Sequence, residues 1–344
     1  MLTHGFTMDS KGMKMSKSLG NTVDPLKVME TYGADIIRLW ALSVDFTEDH
    51  RIGDEILGGV ADQYRKLRNT FRYLLGGLDG FSDEEKVGVE AMPELERYML
   101  HLAAELDAKL RRAVEDFDFN TYVRALTDFC NEDLSAFYFD IRKDVLYCEV
   151  NAQTGVQTER RRAYRTVLDI LFHALVRWLS PVLVFTSEEV WGTRFPDAGS
   201  VHLLEWPELP FLRHSRESGN LAEEEKLGPR FRGDDEKWDD VRSIRQMVTE
   251  AIEPLRKEKL IGSSLEAEVK VGVRNRAVRE ALANLDMAEI CIVSRFEWAE
   301  PENIRGDVEV VRTDNHKCGR CWRYLPEVKA DGELCARCDE VVNA

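Results

Sequence analysis

The chain has 344 residues, 44% of them hydrophobic and 32% charged, enough for packed cores in about two or three domains of ~100–200 residues. With 22 glycines, 10 prolines and 7 cysteines, it is neither globally disordered, nor collagen-like, nor a small disulfide scaffold. Forty-seven basic against 63 acidic side chains leave a net charge of −16, which argues against a general nucleic-acid coat or polybasic membrane binder but leaves room for a local basic face.

In chain order, Thr3 to Asp24 reads as a short strand and a loop, and a helix starts at Pro25 with Asp24 as its N-cap. Gly33-Ala34-Asp35 restarts it, and Ile36, Ile37, Leu39, Trp40 and Leu42 form an apolar patch. From about Asp54 to Trp191 the period is helical. Its stripes are Ile56 to Leu78, Leu95 to Phe117, Tyr122 to Ile141 with a polar lapse at Asp133, and Tyr164 to Trp178, which stops before Pro181. Thr186 and Glu189 read as a capping box for a further short helix. Four long amphipathic helices with polar connections imply a bundle.

Phe211 to Asp235 is polar and Gly-containing and reads as an insertion or linker, whose Arg213, Arg216, Arg230 and Arg232 are either solvated or in contact with RNA. Beyond it, Trp238, Val241, Ile244, Val248 and Ile252 form another helical stripe, with a kink expected at Pro254. Leu265 to Val273 alternates as a strand, Arg276 to Leu285 reads as a helix, and Ile290 to Phe296 as a second strand. No run approaches the ~20 apolar residues of a spanning helix, and the N-terminus has no apolar signal region, so a cytoplasmic protein without a membrane partner is expected.

Two places carry chemistry. Lys14-Met15-Ser16-Lys17-Ser18 lies between Gly12 and Gly20. Two ammonium groups three residues apart on a glycine-hinged loop suit a triphosphate, where charge builds on a departing pyrophosphate. Taken alone, the same pattern also fits an exposed lysine-rich loop. In the tail, Cys318-x2-Cys321 and Cys335-x2-Cys338 are two knuckles thirteen residues apart, the spacing of a four-thiolate structural zinc site with no open position for catalysis. Gly319 and Gly332 ease the turns, His316 is surplus, and Cys130, Cys148 and Cys291 have no partner at ligand spacing.

The full string HGFTMDSKGMKMSKSLGNTVDP, followed by YGADIIRLW, resembles the second signature loop of class I aminoacyl-tRNA synthetases of the isoleucine, valine and leucine group. DEILGGVADQYRKLRNTFRYLLGGL and the tail KCGRCWRY…CARC are similar to the isoleucine branch in particular. The resemblance implies a mainly α fold. Residues 1–53 would be the end of a Rossmann-type catalytic domain, 54–210 a helical-bundle anticodon-binding domain, 211–236 an insertion, 237–307 a small α/β unit and 308–344 a zinc finger.

It further implies that Lys17 contacts ATP and Lys14 assists the pyrophosphate, and that Cys318, Cys321, Cys335 and Cys338 hold one structural zinc. Implied partners are tRNA(Ile), with ATP, magnesium and isoleucine in a complete, monomeric enzyme. The family's first signature, His-x-Gly-His, does not occur, so the chain is expected to need an N-terminal catalytic chain and to be inactive alone. The alternative is a free-standing tRNA-binding zinc module without catalysis. Candidate phosphate contacts are Arg65, Lys66, Arg68 and Arg72 on one helix, Arg160, Arg161, Arg162 and Arg165 on another, and Lys317, Arg320 and Arg323 in the tail. Tyr64, Phe71 and Tyr122 lie on apolar stripes and belong to the core rather than to base stacking.

Overall fold

A computed structural model describes residues 2–209 and 229–343, with side chains for all of these but 229–235. The chain divides into two compact units, Met1–Asp140 with Arg162–Asn220, and Ile141–Arg161 with Leu221–Ala344. This division cuts across the five consecutive segments read from sequence.

In the first unit, β1 (Thr7–Met8) pairs in parallel with β2 (His50–Arg51). Between them run α1 (Pro25–Tyr32) and α2 (Ala34–Ser43). Asp24 caps α1 as expected, its carboxylate accepting from the Leu26 amide at 3.0 Å. The bundle follows with α3 (Asp54–Gly77), α4 (Glu94–Glu115) and α5 (Phe119–Asp128). From α5 the helix runs on through a π-helical stretch, Phe129–Phe139, into α6 (Asp140–Cys148), which from Ile141 onward belongs to the second unit. The wider π turns shift the register by a fraction of a turn, which accounts for the polar lapse at Asp133 in a strict 3.6-residue reading.

Next come α7 (Glu159–Leu179) and α8 (Val184–Arg194). Leu57, Leu74, Met99, Leu110, Leu126, Leu168, Leu171 and Trp178 are fully buried in the core. Truncating any of these leucines to alanine would cost ~2–5 kcal/mol. The capping box read at Thr186 and Glu189 is overturned. α8 starts earlier, and its free amides at Phe185 and Thr186 are taken by the buried Asp35 carboxylate of α2 at 3.2 and 2.8 Å. The Thr186 hydroxyl also donates to Asp35, at 2.7 Å, so it serves as a tether rather than a cap.

In the second unit, α9 (Pro229–Lys257) carries the expected buried stripe Trp238, Val241, Ile244, Val248 and Ile252. Helical backbone at Pro229 means that the last part of the segment read as an insertion is the first turns of α9, while 211–228 lie outside the described residues. Pro254 sits in the last turn of α9, where the helix continues past it to Lys257.

The α/β part contains β3 (Ala267–Gly272), α10 (Arg276–Ala281), α11 (Met287–Cys291), β4 (Arg295–Ala299) and β5 (Val308–Arg312), with strand order β4-β3-β5. β3 runs parallel to β4 and antiparallel to β5. The strand expected at Ile290–Phe296 is displaced: the Asp286 side chain caps a helical turn whose Met287, Ile290 and Cys291 are buried at helical spacing. Ile292 then breaks the turn at φ 55°, and the strand begins at Arg295. A β6 (His316–Lys317) and β7 (Tyr324–Leu325) hairpin and α12 (Ala336–Asn343) complete the unit. Among the described residues no helix is long and apolar enough to cross a membrane.

Candidate functional site

The lysine loop starts from β1. Asp9 closes a tight turn, its amide bonded to the Met13 carbonyl at 3.0 Å and its carbonyl accepting from Gly12, which adopts φ 78°. A short 3₁₀ turn, Lys17–Leu19, is capped by Ser16, whose hydroxyl accepts from the Leu19 amide at 3.3 Å. Gly20 ends the turn at φ 64°, a left-handed conformation that favours glycine. Lys14 and Lys17 are both exposed. Neither ammonium has a charged partner among the described residues, so both are free to meet an anion. Among the described residues the His4 ring meets the neighbouring Gly5 carbonyl at 2.8 Å.

In the second unit the two cysteine knuckles close on each other. The four sulfurs of Cys318, Cys321, Cys335 and Cys338 lie within 4.8 Å of one another and are buried. The Cys321–Cys335 separation is 3.8 Å. Sulfurs ~2.3 Å from a tetrahedral zinc are about 3.8 Å apart, so the donor set fits this ion in type, number and spacing. Gly319 is required by a close approach: a Cβ there would lie 2.4 Å from the Gly332 carbonyl oxygen. His316 stays outside the cluster, 3.4 Å from Asp331.

Both knuckles are of the form Cys-x-Arg-Cys, and both arginines reach the end of α6 and the residues just after it. Arg320 donates to the carbonyls of Cys148 and Val150 at 3.3 and 2.5 Å. Arg337 pairs with Asp144 at 2.5 Å and Glu149 at 3.2 Å. Glu149 also pairs with Arg160, which together with Arg142 holds Glu289 at 2.9 and 2.8 Å. Burial raises the Glu149 carboxyl, but the bonds and charge of Arg160 outweigh it and hold it below its usual range. Cys148 packs beside the four-cysteine cluster, its sulfur 3.6 Å from the Arg320 carbonyl. Sequence reasoning missed the pairing of Cys148, Asp144 and Glu149 with the tail, because nothing in their spacing points to partners well over a hundred residues later.

The structure also sorts the basic residues. All four arginines at the start of α7 are occupied. Arg160 is in the ion pairs above, and Arg161 donates to the Leu146 carbonyl at 2.8 Å. Arg162 bonds the Glu84 and Glu85 carbonyls. Arg165 closes the end of α3 through the Gly77 and Asp79 carbonyls and pairs with Glu85 at 2.6 Å. This group is therefore framework, not an open phosphate face.

On α3, by contrast, Arg65, Lys66, Arg68 and Arg72 are exposed. Arg65 makes a surface pair with Asp62 at 2.6 Å, and Arg68 lies 3.9 Å from Glu189. In the tail Lys317 lies over the exposed Trp322 ring at 4.8 Å. Phe71 and Tyr122 are core, and the half-buried Tyr64 is tied to Thr186.

Comparison with known proteins adds three colinear matches. Residues 1–53 match the profile of tRNA synthetases class I (I, L, M and V). Residues 96–271 match the anticodon-binding domain of tRNA ligase, and 315–341 match the zinc finger found in FPG and IleRS. The isoleucine–tRNA ligase of Zymomonas mobilis subsp. mobilis is 56% identical over 342 residues, which is 99% of this chain and 34% of that protein. The isoleucine–tRNA ligase of Ruegeria pomeroyi is 46% identical over 355 residues, covering 98% of this chain and 34% of its own length. The chain thus spans about a third of the length of the curated relatives it matches.

Proposed function

Because the chain belongs to the family of tRNA-ligase anticodon-binding domains and is 56% identical to part of an isoleucine–tRNA ligase over 99% of its own length, we propose that it works as the tRNA-binding, lysine-loop portion of such a ligase. The complete reaction joins isoleucine to tRNA(Ile) through an adenylate. The isoleucine carboxylate attacks the α-phosphorus of ATP, and pyrophosphate leaves with charge gathering on its oxygens. Lys17 contacts the triphosphate and Lys14 assists the leaving pyrophosphate, each as a point charge on the exposed loop. Magnesium accompanies ATP. In this reading an N-terminal catalytic portion completes the site and supplies the pockets for adenine and isoleucine. The complete ligase is a cytoplasmic monomer.

Cys318, Cys321, Cys335 and Cys338 hold one zinc, which is structural because four thiolates leave no open position. The α3 face of Arg65, Lys66, Arg68 and Arg72 meets tRNA phosphates, which supply affinity and register rather than base identity.

The observation that supports this reading best is colinearity: the exposed lysine loop, the helical bundle from α4 onward and the four-cysteine cluster occur in the order of the three matched profiles. The test is titration of tRNA(Ile) with the purified chain at several salt concentrations, alongside zinc analysis. Affinity that falls steeply as salt rises, with one zinc per chain, is expected. Absence of tRNA binding, or affinity indifferent to salt, contradicts it.

A further inference from the structure

The lysine loop contains a hydrogen-bonded pair that joins its two ends. Asn21 uses its whole amide inside the loop. Its oxygen accepts from the Ser16 amide at 2.9 Å, and its nitrogen donates to the Asp9 carboxylate at 2.9 Å and to the Lys14 carbonyl at 3.2 Å. Asp9 is equally committed: one carboxylate oxygen accepts from the Lys11 and Met13 amides at 3.0 and 2.8 Å, and the other receives Asn21. The ring closed by this pair contains both lysines, and the backbone on either side of Met15 is gripped by one side chain. The rest of the loop is ordered by short-range contacts: the Asp9–Met13 turn with its Met8–Lys14 bridge on one side and the Ser16 cap of the Lys17–Leu19 turn on the other, and the Asp9–Asn21 pair joins the two. Met13, Lys14, Lys17, Ser18 and Leu19 are exposed.

We infer that Asp9 and Asn21 form a latch that sets the shape of the lysine loop, making them positioning residues for Lys14 and Lys17. The functional part rests on the triphosphate role proposed above, and the latch itself does not. A loop pinned at the Lys14 carbonyl and the Ser16 amide holds the backbone from which Lys14 and Lys17 project in one shape. A released loop would have to be ordered by the triphosphate, at the expense of the interaction that speeds the reaction.

The bonding pattern predicts a polarity exchange. Asn21→Asp places two carboxylates face to face and releases the loop. Adding Asp9→Asn supplies an amide nitrogen where the Asp9 oxygen met Asn21, while its remaining oxygen still accepts from Lys11 and Met13. Only the donation to the Lys14 carbonyl is not restored.

The experiment is limited trypsin digestion of the full chain, with cleavage after Lys14 and after Lys17 followed by mass spectrometry. Cleavage there should be about fivefold or more faster in Asn21→Asp and in Asn21→Ala, with an unchanged melting midpoint. In the Asp9→Asn/Asn21→Asp double variant it should return most of the way to the original rate. Unchanged cleavage in both single variants, or a double variant as labile as Asn21→Asp, overturns the latch. Digestion needs neither ATP nor tRNA. A confirmed latch beside an inert Lys17→Ala in a complete ligase would therefore refute the triphosphate reading and leave the latch standing.

Discussion

Gly319 has no side chain, yet the zinc knuckle depends on it. A methyl group there would stand 2.4 Å from the Gly332 carbonyl oxygen, a backbone atom that moves only if the turn moves. Gly319→Ala is therefore expected to destabilise the tail by ~1–3 kcal/mol and to lower zinc retention under a chelator challenge, read by metal analysis and thermal melting. A variant that melts and holds zinc like the parent would contradict the close approach.

His173 gives a pH prediction. Burial is the main cause that brings its imidazole down to about 4; Asp169 opposes the shift, while Arg194, Arg177 and Lys86 reinforce it. Above pH ~6.5 the ring is neutral in both folded and unfolded chains and contributes nothing to the pH dependence. As pH falls from there towards 4 the unfolded chain takes up the proton first, so stability is lost across that window. Compared with the parent, His173→Gln should show a shallower fall in melting midpoint between pH 6.5 and 4; equal slopes would contradict the shift. At this scale the exposed lysine loop and the convergence of the four tail cysteines were legible, because both are written in local spacing. Asp35, Cys148 and Arg337 in its pairing role were not, because their partners lie more than a hundred residues away.

Among the helices, α3 and α7 look alike in sequence, each with four basic residues in a short run, and differ in what surrounds them. α7 delivers its arginines to carboxylates and carbonyls, whereas α3 presents its own to solvent. Two kinds of variant should separate these roles. Lys66→Glu with Arg72→Glu should weaken tRNA binding, flatten its salt dependence and leave the melting midpoint nearly unchanged. Arg165→Leu removes a buried guanidinium that donates to the Gly77 and Asp79 carbonyls and to Glu85, so it should cost on the order of 3 kcal/mol in stability and leave the salt slope alone. The reverse assignment, with α7 controlling the salt slope, would contradict the structure. The helical period located α3, α4, α7 and α9 from apolar spacing alone. It stumbled over the π-helical stretch Phe129–Phe139, where the period itself changes, and over α11, where Asp286 starts a helix that a reading beginning at Ile290 cuts in half.

At the level of the whole molecule, the order of loop, bundle, α/β part and zinc knuckles was legible because each has its own local pattern. The packing units were not, because Ile141–Arg161 leaves the bundle's sequence neighbourhood to join the unit that holds the cysteines. Arg320, Arg337 and Glu289 grip that excursion, and none of them signals this in sequence. The central claim is that this chain supplies the lysine loop and the tRNA-binding surface of an isoleucine–tRNA ligase. Its most direct test joins the chain in frame to the N-terminal two thirds of the Zymomonas mobilis relative and measures isoleucyl-tRNA formation. The fusion is predicted to charge tRNA(Ile), and Lys17→Ala to slow isoleucyl-adenylate formation on the order of a hundredfold, equivalent to ~3 kcal/mol of transition-state stabilisation. A folded fusion that binds tRNA but forms no isoleucyl-tRNA, or one that charges equally well without Lys17, would contradict it.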